Sequence, residues 1–377
     1  MRQKWAMRVA AIAALASMLG LTACGNFFVC QKASCPAASS TVDYVYATNS
    51  ASGSTYLSAY TISSSGLTTL SGFPVALGFQ PSAIAIAANN DFLYIATSTL
   101  VYAYAVTTST GAIAVTNSGS AAASSTGLIA AMTVSPDGNW LYTLDSSGTV
   151  LSQYAITVST GALTLTQTIT TPGTGCSALV PCALTVSKSE ELVAATLGTA
   201  GDVIFPYNST SGITSSGYNQ IQTGSASVGD YALAFDSNNY LYLARTTGEV
   251  VYSLNSSGAG NAVAGSPFAA GTSPRAVLVT NDGAYSYNAS YSAGTVYAFS
   301  IQSGVLTAQN TPFYSTQANV SALAEDSTST YLVTAGYAAS SGLRLYSISS
   351  SGALTAVGTT QPTGTTLGVP MLLAVTH

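Results

Sequence analysis

The sequence predicts an all-β protein, a ring of seven four-stranded antiparallel blades (a seven-bladed β-propeller), and three observations carry that reading. Tyr, Val, Ile and Leu alternate with Ser, Thr and Asn in short runs, the two-residue period of half-buried strands. The pattern repeats: aligned on one position it falls at Tyr46, Tyr94, Tyr142, Val193, Tyr242, Tyr287 and Val333, at intervals of 48, 48, 51, 49, 45 and 46 residues. That is the length of a four-stranded blade and too long for leucine-rich or hexapeptide repeats. Finally, Asp43 to Thr48 read as a second strand with no inner strand before it, and Pro370 to Thr376 as an inner strand with nothing after it. Pairing the two completes a blade and closes the ring, so no sheet edge stays open.

Taken in order, the chain begins with Arg2, Lys4 and Arg8 ahead of an apolar run from Val9 to Leu21, the length of a secretory leader and too short to span a bilayer comfortably. The run ends in Leu21-Thr22-Ala23-Cys24, which resembles the lipobox of bacterial lipoproteins, with residues 1–23 as the signal peptide and Cys24 as the acylated residue. Gly25, in place of Asp, resembles lipoproteins sorted to an outer membrane. The expectation is an extracytoplasmic protein held on the cell envelope by its acyl chains, each buried methylene adding about 0.8 kcal/mol. Residues 24–41 form the tether and 42–377 the propeller.

Cys30, Cys35, Cys176 and Cys182 are an even set in an exported chain. The favoured pairing is Cys30 with Cys35 and Cys176 with Cys182, the second pinning an insertion at residues 173–181. A zinc site of four thiolates is the alternative, but neither pair has the two-residue spacing of a zinc knuckle and no histidine assists. No metal or cofactor is expected.

Within the repeats, inner strands are read at Ala83 to Ala87, Ala130 to Ser135, Tyr231 to Asp236 and Ala276 to Thr280. The turn after each is rich in residues that tolerate hairpin geometry, as in Asn89-Asn90-Asp91, Pro136-Asp137-Gly138 and Asn281-Asp282-Gly283. Asp91, Asp137, Glu190, Glu191, Asp236, Asp282 and Asp326 are therefore read as turn formers on the face opposite the usual ligand mouth.

The segments Gly265-Ser-Pro-Phe-Ala-Ala-Gly-Thr-Ser-Pro-Arg-Ala276, Gly72-Phe-Pro-Val-Ala-Leu-Gly-Phe-Gln-Pro-Ser-Ala83 and Asn310-Thr-Pro-Phe313, with the Pro136-Asp-Gly-Asn-Trp-Leu-Tyr142 hairpin, resemble the lactonase-like propellers, the group of 6-phosphogluconolactonases and YVTN-repeat proteins. The resemblance spans residues 42–377 and implies the fold. It also implies a lactone hydrolase working at the channel mouth with His, Arg and carboxylate groups, whereas the only histidine here is His377, the last residue.

Composition narrows the rest. The 377 residues are 47% hydrophobic and only 6% charged, and the formal charge of -5 becomes -8 once the three leader cations are removed, leaving 5 basic against 13 acidic residues. A nucleic acid finds no basic patch here. A serine nucleophile without histidine would need a lysine base, yet Lys32 lies in the tether and Lys188 at a hairpin turn. On the expected ligand face, Asp230 and Arg275 begin the inner strands of neighbouring blades and Asp145 and Arg245 occupy turns. Arg275 with Asp230 is the candidate for orienting a carboxylate, a sugar hydroxyl or a phosphate, a solvated ion pair being the alternative. Tyr291 and Tyr337, in the matching turns of blades 6 and 7, are placed to stack on a sugar ring, and Arg344 belongs to a third strand. The expected function is a monomeric binding platform for a protein, peptide or glycan, with lactone hydrolysis as the alternative.

Overall fold

The computed structural model describes residues 42–377 except 52–53, 174, 177–180, 190, 224–228, 272, 338–341 and 363–371. The expected signal peptide and tether, with Cys24, Cys30, Cys35 and Glu190, lie outside the described residues. Seven antiparallel sheets are present, each with four strand positions, the outer one split in two in three of them. Helical structure among the described residues is limited to two three-residue 3-10 turns, Asn117–Gly119 and Gly198–Ala200.

Numbered by their second strands, the blades have inner strands Leu373–Val375 (blade 1), Ala83–Ile86 (2), Ile129–Val134 (3), Ala183–Val186 (4), Asp230–Phe235 (5), Pro274–Val279 (6) and Val320–Glu325 (7). Each inner strand packs against those of the blades on either side, and the circuit returns from blade 7 through blade 1 to blade 2. The closure is the expected one. Leu373–Val375 pairs antiparallel with Tyr44–Ala51, setting Tyr46 opposite Ala374, and is continued by Thr48 N to Leu372 O at 3.1 Å and Thr376 N to Tyr44 O at 3.0 Å.

The core lies between blades. Seven apolar clusters occupy the seven interfaces; the one joining blades 7 and 1 holds Val45, Ala47, Val333, Leu345 and Val375. The repeat-defining tyrosines explain why the period is so regular. Tyr46, Tyr94 and Tyr287 are fully buried, and their hydroxyls donate to Gly111 O (2.8 Å), Gly161 O (3.2 Å) and Gly352 O (2.8 Å) in the third-to-outer turn of the following blade. Gly111 and Gly161 both have φ +68°, and a Cβ there would stand 2.5 Å from Tyr44 Cδ1 and 2.4 Å from Phe92 Cδ1. Each turn is thus clamped onto an aromatic pair of the neighbouring blade, and only glycine fits. Trp140 makes the equivalent bond from Nε1 to Ser209 O at 3.0 Å.

The upper face carries the starts of inner strands and the turns after second strands; the lower face carries the turns after inner strands. On the lower face the turn-forming role of the acids is seen directly. Asp236 Oδ1 accepts from Asn238 N (2.8 Å) and Tyr240 N (3.0 Å), Asp326 Oδ1 from Thr330 N (2.8 Å) and Tyr331 N (2.6 Å), and Asp137 Oδ1 from Asn139 N (2.9 Å). Cys176 and Cys182 form a disulfide, as expected, and Cys176 N donates to Ser146 O at 2.7 Å, fixing this segment against the upper turn of blade 3.

Candidate functional site

The upper mouth is shaped by irregularities at the starts of inner strands. In blade 5 Asp230 pairs with Arg245 and Ala232 with Ala244, leaving Tyr231 as an extra residue; in blade 6 Pro274 pairs with Ser290 and Ala276 with Ala289, leaving Arg275 extra. A bulge of this kind re-aims one side chain. Here the two bulged side chains from adjacent blades meet: the Arg275 guanidinium carbon lies 4.8 Å from the Tyr231 ring centre and 5.4 Å from that of Tyr291. Tyr337 of blade 7 extends the group, its ring centre 6.5 Å from that of Tyr291 with planes at 41°. All four residues are half-buried. Stacking of this type is worth about 0.5 to 2 kcal/mol according to solvent access, and it holds the cation in a fixed place.

The register also redirects Asp230. Its partner is Arg245, directly across the ladder, rather than Arg275: Nε to Oδ1 and Nη2 to Oδ2 are both 2.7 Å, a bidentate fork. Asp230 is 1% exposed and the Arg245 side chain 12%, so the pair is a buried structural bridge and not a solvated one. A third acid, Asp202 at the start of the blade 4 third strand, lies 3.9 Å from Arg245 Nη2, and neither of its oxygens has a hydrogen-bond partner among the described residues. Burial, reinforced by the negative charge of Asp230, raises its pKa well above the usual carboxylate range. One guanidinium thus forks onto one carboxylate, with a second buried acid beside them.

Asp145 proves to be committed to its own turn. Oδ1 accepts from Thr149 N and Val150 N, both at 2.8 Å, and Oδ2 from Ser147 Oγ and from Thr149 Oγ1 at 3.3 Å. These bonds take up its oxygens, so it braces the turn. Arg344 lies on the blade 7 third strand Gly342–Ile348, its guanidinium carbon 5.5 Å from the Tyr346 ring centre, outside the mouth as expected. Sequence reasoning missed Tyr231 because a one-residue bulge is invisible in an alternating pattern. Asp202 was legible as a lone acid in the apolar strand Gly-Asp-Val-Ile-Phe-Pro-Tyr.

No protein-family model matches the chain, and no curated protein sequence matches it significantly. Solved structures do match in fold. A 6-phosphogluconolactonase-like protein from Bacteroides fragilis superposes with a TM-score of 0.69 at 18% identity, covering 91% of this chain and 100% of its own. Its counterpart from Bacteroides uniformis gives 0.69 at 16%, covering 88% and 99%. The periplasmic gluconolactonase of Pseudomonas aeruginosa gives 0.63 at 14%, again covering 88% and 99%. The chain has the fold of the 6-phosphogluconolactonase-like seven-bladed propellers.

Proposed function

We propose that this protein is an envelope-anchored binding propeller whose upper mouth takes a carbohydrate derivative bearing a carboxylate or phosphate. The observation that carries the reading is Arg275 held between Tyr231 and Tyr291 with Tyr337 beside them. A guanidinium offers paired donors to an oxyanion, and tyrosine faces suit the C–H side of a sugar ring. The leader and the Leu21-Thr22-Ala23-Cys24 motif support attachment through acylated Cys24. Calorimetric titration with gluconate and glucuronate tests the site. Saturable binding is expected, weakened about tenfold or more in Arg275→Ala, one lost charge-assisted contact being worth at least 1.4 kcal/mol. Absence of binding to either acid would sink the proposal. Globomycin should leave the precursor unprocessed; normal maturation would remove the anchor.

Hydrolysis of a sugar lactone is the second reading, favoured by the gluconolactonase of P. aeruginosa among the structural neighbours. On this reading Asp230 is not the base, since both its oxygens are held by Arg245 in a buried bridge. A pH-stat assay with glucono-1,5-lactone separates the two: turnover above the spontaneous rate that Arg275→Ala abolishes would favour the hydrolase.

A further inference from the structure

The opposite end of the channel holds a cavity of about 400 Å³ that the upper site does not use. Its walls are the lower ends of five inner strands and the turn after a sixth, apolar at Ile86, Val134 and Val186 and hydroxylated at Thr133 and Thr185. Three ionisable side chains also line it, each from a different blade: Lys188, Glu325 and His377. The volume falls in the range of small-molecule sites.

Lys188 is not available to an anion. Its ammonium reaches across to blade 6 and donates to Val279 O and Thr280 O, both at 3.3 Å, and to Asn281 Oδ1 at 3.1 Å, which takes all three of its protons. Glu325 accepts from Ser329 Oγ on Oε2 at 2.9 Å and from the Asn281 backbone N–H. His377 has Nδ1 3.4 Å from Val375 O, which in the neutral ring places the proton on Nδ1 and leaves Nε2 as an acceptor. Its imidazole is open to the cavity while its backbone N–H is fixed to Asn90 Oδ1 at 3.1 Å.

We propose that this lower mouth is a second binding site, for an uncharged hydroxylated molecule of monosaccharide size, with Glu325 and the Nε2 of His377 as its polar anchors. The cavity offers a carboxyl oxygen, an imidazole nitrogen and two threonine hydroxyls, and its single cation is already committed. A polyol satisfies donors and acceptors alike and lays its C–H face on the valine and isoleucine walls, whereas an anion meets no uncommitted positive group. The protonation states agree. Burial pushes the Glu325 pKa up to about 7 against the opposing charge of Lys188, and burial lowers that of His377. The other charges bearing on these groups are Asp326 on Glu325, Asp43 on His377, and Asp236 and Asp282 on Lys188. Near neutral pH the carboxyl can therefore donate as well as accept.

His377 is the sole histidine, so its imidazole carbon-bound protons report on this mouth in the unmodified protein without ambiguity. Titration with methyl α-glucopyranoside should move those resonances saturably, and gluconate, similar in size but anionic, should not. Binding should weaken about tenfold in Glu325→Ala, survive in Glu325→Gln, and fall for the wild type but not for Glu325→Gln between about pH 6 and pH 8. Arg275→Ala should leave it unchanged, which separates this site from the upper one. Thr185→Trp, checked for a wild-type melting curve, should fill the cavity and abolish the response; should that variant not fold, the Glu325→Gln pH profile decides. Unmoved His377 resonances, an equal response to gluconate, or full binding to folded Thr185→Trp would each overturn the proposal.

Discussion

At the upper mouth the inner strands begin with bulges that bring Tyr231 and Arg275 of adjacent blades together, whereas at the lower mouth the same strands end in tight turns whose carboxylates bond their own backbone. The upper pair Asp230 and Arg245 is joined across one ladder and buried, while Arg275 is stacked on Tyr231. Below, Lys188 is tied down and burial raises the Glu325 pKa to about 7. On the two proposals above, the ends of one channel, built from the same repeated element, take anionic and uncharged ligands respectively. What differs is whether a repeat position is spent on the turn or released by a local break in register.

The largest change in this comparison should come from removing residues 372–377, which strips the lower mouth of one wall and leaves the edge of Tyr44–Ala51 unpaired. We expect loss of a single cooperative unfolding transition by circular dichroism; an unaltered melting curve would show that closure adds nothing. Next, Arg245→Met leaves buried Asp230 without its counter-charge and should cost about 3 to 5 kcal/mol in urea denaturation. A cost near zero would mean that the upper bridge is solvated after all.

A pH series sharpens the contrast further. Glu249 is fully buried between blades 5 and 6, accepting from Ser286 Oγ and from Asn288 Nδ2 at 3.3 Å, and burial raises its pKa from 4.5 to about 7. Glu325 is raised to a similar value. Between these limits the folded protein binds protons that the unfolded chain has released, so stability is greatest below about pH 4.5 and declines until about pH 7, Glu249 accounting for about 3 kcal/mol. His377, lowered from 6.5, acts in the opposite sense over part of that window. Urea midpoints should fall between about pH 4.5 and pH 8, with a flatter profile in Glu249→Gln. Smallest of all, Arg275→Ala should change stability by no more than about 0.5 to 1 kcal/mol, a half-buried stacked cation carrying little of the fold. A much larger loss would make Arg275 a brace rather than a ligand group.

The repeat was legible because each copy spends the same residues on the same task. Alternation marked the strands, Asp and Asn marked the lower turns, and the complementary ends marked the closure between Asp43–Thr48 and the last strand. Even the placement of Tyr46, Tyr94 and Tyr287 had a physical cause, since each tyrosine reaches a glycine turn one blade away. Asp230 and Arg275 were correctly placed at neighbouring strand starts, but their partners were not. Cross-strand register gave Asp230 to Arg245, and the bulges gave Arg275 to Tyr231 and Tyr291. The lower cavity was harder still to read: Lys188 and His377 had been set aside as a turn residue and a last residue, and Glu325 was unremarked beside Asp326.

The sequence by itself determined the number of blades, their strands and turns, and how the ring closes, because these depend on local periodicity and on backbone geometry that particular residues require. Tertiary structure alone decided which charged side chains meet. That depends on register shifts of a single residue and on contacts between blades 43 or more positions apart, neither of which leaves a periodic trace in the chain.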